Sequence, residues 1–182
     1  MKRIKIAEIL ALCIFCSGCA TTQKNTDTEI PAEETVVEFT AEELEYQRST
    51  KAVSGSVTRE VFEEDKKIIL KKIEELADIM TRKSYDEWTT YLDEDSKFYW
   101  NKRANLQIAS SRLPVKIRLQ NLKDYFTYVF IPARTGHEVD EIRYVSENSV
   151  KAVNVSEEKD VVYYTFRKIN GIWQLHLPAL DE

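Results

Sequence analysis

Residues 161–177 read VVYYTFRKINGIWQLHL, and this stretch decides the fold. Two β-rich runs flank Asn170-Gly171, a dipeptide suited to the left-handed backbone of a two-residue hairpin turn. With that loop, Ile169 faces Ile172 and Phe166 faces Leu175. Side chains alternate along a strand, so Val162, Tyr164, Phe166, Trp173, Leu175 and Leu177 fall on one face. Val161, Tyr163, Thr165, Arg167, Gln174 and His176 fall on the other. The first face is predicted to pack on the rest of the domain and the second to be partly solvated.

Working outward, two further β-rich runs precede the hairpin, at about 138–145 and 149–155, separated by Ser146-Glu147-Asn148. Upstream the period changes. Phe62, Ile69, Ile73, Leu76 and Met80 recur at helical spacing and predict one long amphipathic helix ending near Arg82-Lys83. Ser84 and Glu87 form a capping-box pattern before Tyr85, Trp88 and Leu92. A helix is predicted from about Ser96 to Arg112, stopped by Pro114, and another from Val115 to Phe130. With no alternation of strands and helices, the sheet is expected to be antiparallel and the class α+β.

This order, helices followed by a curved antiparallel meander ending in Lys168-Ile169-Asn170-Gly171-Ile172-Trp173-Gln174-Leu175, resembles the nuclear-transport-factor-2-like, or ketosteroid-isomerase-like, fold. The resemblance covers about residues 60–178. It implies a cone of helices and sheet with a pocket at its open end. Helices docked on a cystatin-like sheet would leave a similar trace. Family membership would not fix an activity, because the family includes enzymes, binding modules and structural subunits.

The N-terminus speaks to location. Lys2, Arg3 and Lys5 precede a seven-residue apolar run, Ile9–Phe15, which is too short to span a bilayer. Ser17-Gly18 then leads into Cys19. This resembles the bacterial lipobox, in which a peptidase cuts before a cysteine that carries diacylglycerol. Cys16 stands where that motif prefers Leu, a departure that invites comparison with the relaxed lipoboxes of spirochaete lipoproteins. The expected organisation is a signal peptide over 1–18, an acylated Cys19 opening an acidic flexible tether over 19–57, and one α+β domain over 58–182. All three cysteines lie in the first 19 residues, so the domain has neither thiol nor disulfide. The tether is rich in Ser, Thr, Asp and Glu and carries a net charge of −5, with one capping-box pattern at Thr40 and Glu43.

No phosphate-binding loop, G-x-S-x-G or H-E-x-x-H pattern is present. His137 with Glu138 and Asp140 is a weak metal pattern, and no metal or cofactor is expected. His176 reads as structural or surface-exposed rather than catalytic. Asp93-Glu94-Asp95 reads as helix capping. Asp124, Asp140, Tyr99, Tyr125 and Tyr128 could in principle supply isomerase chemistry, but their spacing does not bring two together. The segment 96–123 carries Lys97, Lys102, Arg103, Arg112, Lys116, Arg118 and Lys123 and no acid. It is either an anion-facing surface or two solvated helix faces pointing apart.

The whole chain has a formal net charge of −5, which disfavours nucleic acid as a partner. Two functions stay open. One is a non-enzymatic, membrane-tethered lipoprotein of the cell envelope, its domain in the periplasm or at the cell surface. Ala20 after the lipid cysteine favours the outer membrane over the inner by the enterobacterial rule. Its partner would be an envelope protein, an anionic polymer or a small apolar ligand. The other is a small-molecule carrier or isomerase-like enzyme with a pocket walled by Trp88, Tyr91, Phe126, Phe166 and Trp173. Plain core packing is the alternative for those five.

Overall fold

Thr40 accepts a hydrogen bond from the Glu43 N–H (3.2 Å) and opens helix α1, Ala41–Thr50. The computed structural model describes residues 39–156 and 159–181, so the leader, Cys19 and the first half of the expected tether lie outside the described residues. Thr58 caps α2, Arg59–Arg82, by accepting from the Val61 N–H. This long helix turns Phe62, Ile69, Leu76 and Met80 inward and ends at Lys83, whose left-handed backbone (φ 53°) returns its N–H to Ile79 and Met80 carbonyls.

The packed body reaches back further than the expected boundary at 58. Ser49, Thr50 and Val57 are buried, and the Tyr46 hydroxyl donates to the Val57 carbonyl (2.8 Å). Arg48 pairs with Glu141 (2.6 Å), Lys66 with Glu45 (2.6 Å), and Arg59 with Glu43. Residues 41–57 are therefore part of the domain rather than of the tether. Averaged composition hid this, because a few well-placed residues (Tyr46, Val57 and the ion pairs) dock an otherwise polar segment.

Short helices follow: α3, Tyr85–Tyr91; α4, Glu94–Trp100; α5, Arg103–Arg112; α6, Leu122–Tyr125, continuing as a π-helical turn, Phe126–Phe130. Two expectations are corrected here. The helix predicted over 96–112 begins two residues earlier and breaks at Asn101-Lys102. The Asn105 side chain donates to the Tyr99 carbonyl (2.8 Å), and Trp100 turns into the core. The helix predicted from Val115 starts only at Leu122. Asn121 caps it by accepting from the Asp124 N–H (2.9 Å), Asp124 accepts from the Gln120 N–H (2.8 Å), and the Leu119 N–H donates to Ser110 Oγ (2.8 Å). Local side-chain acceptors outcompete the helical ladder over 115–121.

The sheet is a four-stranded antiparallel meander in the order β1-β2-β3-β4: β1, Glu141–Ser146; β2, Ser149–Asn154; β3, Val161–Ile169; β4, Ile172–His176. Ile169 pairs with Ile172, Phe166 with Leu175 and Thr165 with His176, as the hairpin turn requires. Asn170 and Gly171 both adopt positive φ (51° and 79°), the requirement of a type I′ turn. The expected alternation fails at one point. Ala152 pairs with Tyr164 but Val153 with Val162, so Tyr163 is an extra, bulged residue. Beyond the bulge Val162 is 47% exposed instead of core-facing.

Both sheet edges are partly covered. Helix α1 and the 3₁₀ turn Lys51–Val53 lie along β1, and the Asp93 N–H donates to the Leu175 carbonyl (3.0 Å) on β4. One hydrophobic cluster joins Phe62, Ile69, Leu76 and Met80 of α2 to Trp88, Phe126 and Phe130 and to Ile142, Tyr144, Val150, Tyr164, Phe166, Trp173 and Leu175 of the sheet. Among the described residues no helix is long and apolar enough to cross a membrane.

Candidate functional site

Three polar arrangements interrupt this apolar core. The first is Asp65, which lies on the buried stripe of α2 between Phe62 and Ile69 and is 3% exposed. Its Oδ1 accepts from Trp173 Nε1 (2.7 Å) and Lys168 Nζ (2.9 Å), and its Oδ2 accepts from the Tyr144 hydroxyl (2.8 Å). Burial, and then the hydrogen bond to Asp65 and its charge, push the Tyr144 hydroxyl well above the usual phenol range. Both carboxylate oxygens are thus occupied by donors from three strands' worth of sheet. This joins helix to sheet and leaves no oxygen free to take a substrate proton.

The second is His176. Its Nδ1 meets Asp93 Oδ2 at 2.7 Å and Ser96 Oγ at 3.2 Å, while Ser96 Oγ accepts from the Leu177 N–H (2.8 Å). A hydrolytic triad needs its acid and its serine on opposite ring nitrogens. Here they share one nitrogen, so the cluster pins the start of α4 to the end of β4. Asp93 accepts from the Ser96 N–H (2.7 Å), which makes it the helix cap that its sequence position suggests. Burial pushes the Asp93 carboxyl up, but hydrogen bonds from His176 and Ser96 outweigh it and hold the group below its ordinary value of 3.8.

A stability profile follows. With the folded value below the unfolded one, the unfolded chain takes up this proton first as the medium is acidified. The contribution is present above about pH 4 and is lost as pH falls through the folded value. Urea midpoints of the native chain are expected to drop more steeply from about pH 4 to about pH 2 than those of Asp93→Asn. Equal slopes would show that Asp93 does not titrate low.

The third arrangement lies at the surface of that core. It is an open cavity of about 420 Å³ between the C-terminal half of α2, the loop after the π-helical turn, and β3, with Ala77, Thr81, Lys83, Thr135 and His137 exposed. Ile73, Ala77, Met80, Ile131 and Tyr164 supply its apolar wall, and Thr81, Lys83, Arg134, Thr135 and His137 its polar groups; none of its lining residues is acidic. Helix α2 aims three of the wall residues by spacings of four and three. The π-helical turn carries the chain round to Ile131 and Arg134, with Ile131 N–H donating to the Phe126 carbonyl (3.0 Å). The Arg134 guanidinium lies 3.8 Å from the Phe130 ring centre and 5.2 Å from that of Tyr164. Its Nη1 donates to the Phe130 carbonyl (3.2 Å), and its Nε is enclosed with no acceptor among the described residues. Burial lowers its pKa, yet an arginine stays charged across the accessible range. No carboxylate pairs with it among the described residues. His137 stacks on the bulged Tyr163 at 4.7 Å and lines this cavity. No group of three or more metal-ligating side chains occurs among the described residues.

The residues singled out by sequence are placed differently. Trp88, Phe126, Phe166 and Trp173 are between 0% and 2% exposed and belong to the packed core. Trp88 stacks on Phe126 (4.7 Å) and contacts Phe130 (5.0 Å). Tyr91 packs half-buried at the edge of that core, its hydroxyl donating to Glu75 (2.7 Å); burial and then Glu75 push it up to about 12. None of these five lines the 420 Å³ cavity. The basic set is spread over α4, α5, the extended segment and α6. Lys97 pairs with Glu94 (2.7 Å), Lys102 lies over Phe98 (4.1 Å), Arg112 donates to the Leu180 carbonyl (3.2 Å), and Lys123 lies 6.0 Å from the Tyr85 ring centre. Arg103, Lys116 and Arg118 are exposed. Asp65 could have been found from sequence, as an acid on the apolar stripe of a helix. Arg134 carries no such signal, because only the tertiary fold makes it different from the other arginines.

No known protein family matches the chain, and no solved structure matches it. The chain is similar to an uncharacterized lipoprotein of Treponema pallidum (strain Nichols), with 31% identity over 120 residues. That match covers 65% of this chain and 64% of the relative, so the chain spans just under two thirds of the relative's length.

Proposed function

We propose that this chain is a cell-envelope lipoprotein, anchored by acylated Cys19, whose α+β domain binds a small ligand rather than turning one over. The tether half rests on the basic-apolar leader ending at Cys19 and on the similarity to a lipoprotein. Several acyl chains would hold such a protein durably, where one alone binds only marginally. The binding half rests on one observation: a cavity of about 420 Å³ with an apolar wall and a half-buried arginine that has no carboxylate partner among the described residues and whose Nε is enclosed without an acceptor. That volume falls within the usual range for ligand sites, about 300–1,000 Å³. Its lining offers cations, hydroxyls and the His137 imidazole, which is stacked on Tyr163, but not the carboxylate base of ketosteroid-isomerase-type chemistry, which favours binding over that chemistry. The nuclear-transport-factor-2-like assignment belongs with this reading and is supported by the element order and the terminal hairpin. So do the outer-membrane location and the basic segment 96–123 as a second, anion-facing surface.

The tether is tested by Cys19→Ala. The native protein is expected in the detergent phase of a phase-partitioning experiment and the variant in the aqueous phase, with no incorporation of labelled acyl chains. Detergent partitioning that survives the substitution would remove the lipoprotein reading.

A further inference from the structure

We infer that the Arg134 cavity takes an amphiphilic anion, a carboxylate or phosphate head on a short apolar body. This rests on the binding reading above and names the class of ligand. The cavity-lining set contains two fixed cations, Lys83 and Arg134, together with His137, Thr81 and Thr135, and no acid. Its other half is aliphatic and aromatic: Ile73, Ala77, Met80, Ile131 and Tyr164. A ligand that satisfies both halves has one charged end and one apolar end.

Arg134 is the group that sets the sign. Elsewhere in the fold, arginines at half-buried positions are paired: Arg143 with Glu141 and Asp160, Arg59 with Glu43, Arg167 with Asp95. Arg134 faces two aromatic rings and one backbone carbonyl instead. Cation–π contact recovers only part of what a guanidinium loses on leaving water. An anionic head group in the cavity would replace the missing counter-charge and can be held by two parallel N–H bonds. Lys83 is held at the cavity by the left-handed end of α2, and His137 by its stack on Tyr163. Both add donors without an acid to compete for them. A half-buried Arg134 without a carboxylate is thus a feature that folding alone does not require, since a methionine would fill the same space at lower cost.

The experiment uses the full chain carrying Cys19→Ser, so that no detergent competes for the cavity. Decanoate, decyl phosphate and the uncharged decanol are titrated by calorimetry below their aggregation limits. Saturable binding of decanoate or decyl phosphate, at least about tenfold tighter than decanol, is expected; the two heads separate a carboxylate source from a phosphate one. Arg134→Met is expected to abolish that preference while keeping or raising the melting temperature. Ala77→Trp, which fills the cavity from α2, is expected to weaken all three ligands and guards against a misfolded first variant. Equal binding of charged and uncharged probes, or a preference that survives Arg134→Met, overturns the anion inference and leaves the binding reading in place. Binding of none of the three overturns both. Neither outcome bears on the lipid anchor, which the Cys19→Ala result decides separately.

Discussion

Asp65→Ala is expected to lower the unfolding free energy by about 3–5 kcal/mol, the range for breaking a buried charge network by removing one partner. The reason is what it leaves behind. Lys168, Tyr144 and Trp173 all direct a donor at this one carboxylate. Without it, the buried Tyr144 hydroxyl and Trp173 indole N–H lose their acceptor, and the half-buried Lys168 ammonium loses its counter-charge. Urea unfolding measures the change. Asp65→Asn separates charge from hydrogen bonding, since its amide oxygen still accepts but no longer neutralises Lys168. It is expected to fall between the native chain and Asp65→Ala. The double change Asp65→Leu with Lys168→Met removes both charges and is expected to recover much of the loss. If Asp65→Ala costs less than about 1 kcal/mol, as an exposed ion pair would, the network does not hold helix to sheet.

Trp88→Ala is expected to cost about 3–5 kcal/mol for a different reason, the cavity left by a fully buried ring. Trp88 is 0% exposed and packs on Phe126 and Phe130 of the π-helical turn. Losing it removes the contact that seats that turn against α3. Its Nε1 is also buried with no acceptor among the described residues. Trp88→Phe therefore gives up some volume but also relieves an unsatisfied donor, which costs about 1–3 kcal/mol. Trp88→Phe is expected to recover most of the stability lost in Trp88→Ala. The pair is read by urea unfolding together with near-ultraviolet circular dichroism, which reports ordered aromatic packing. A Trp88→Phe variant as unstable as Trp88→Ala would mean that the indole makes a contact the core packing does not explain.

The two predictions show why a row of aromatics at helical and strand spacing was ambiguous. Trp88, Phe126, Phe166 and Trp173 have the composition of a pocket wall and of a core alike. Whether a ring faces an opening or another ring depends on how far apart the elements stand, and spacing along the chain carries no such distance. The structure packs those four into one core cluster and opens a cavity outside it, beside the C-terminal half of α2 and around Arg134.

What the chain determined by itself was local. The Asn170-Gly171 turn admits one register, so the hairpin pairs followed from alternation and were found in place. The stripe from Phe62 to Met80 determined α2, the order of periods determined the α+β class, and Asp93 was legible as a cap. Tertiary structure decided wherever a local rule met a partner from elsewhere in the chain. A bulge at Tyr163 turned Val162 outward, side-chain acceptors delayed α6 to Leu122, and docking on β1 drew residues 41–57 into the domain. It also decided which of many charged residues are special. Asp65 is marked in the sequence only by its place on an apolar stripe, and Arg134 is an ordinary letter there. One became a saturated acceptor and the other an unpaired cation because burial strengthens electrostatic interactions and removes the water that would otherwise make all such residues alike.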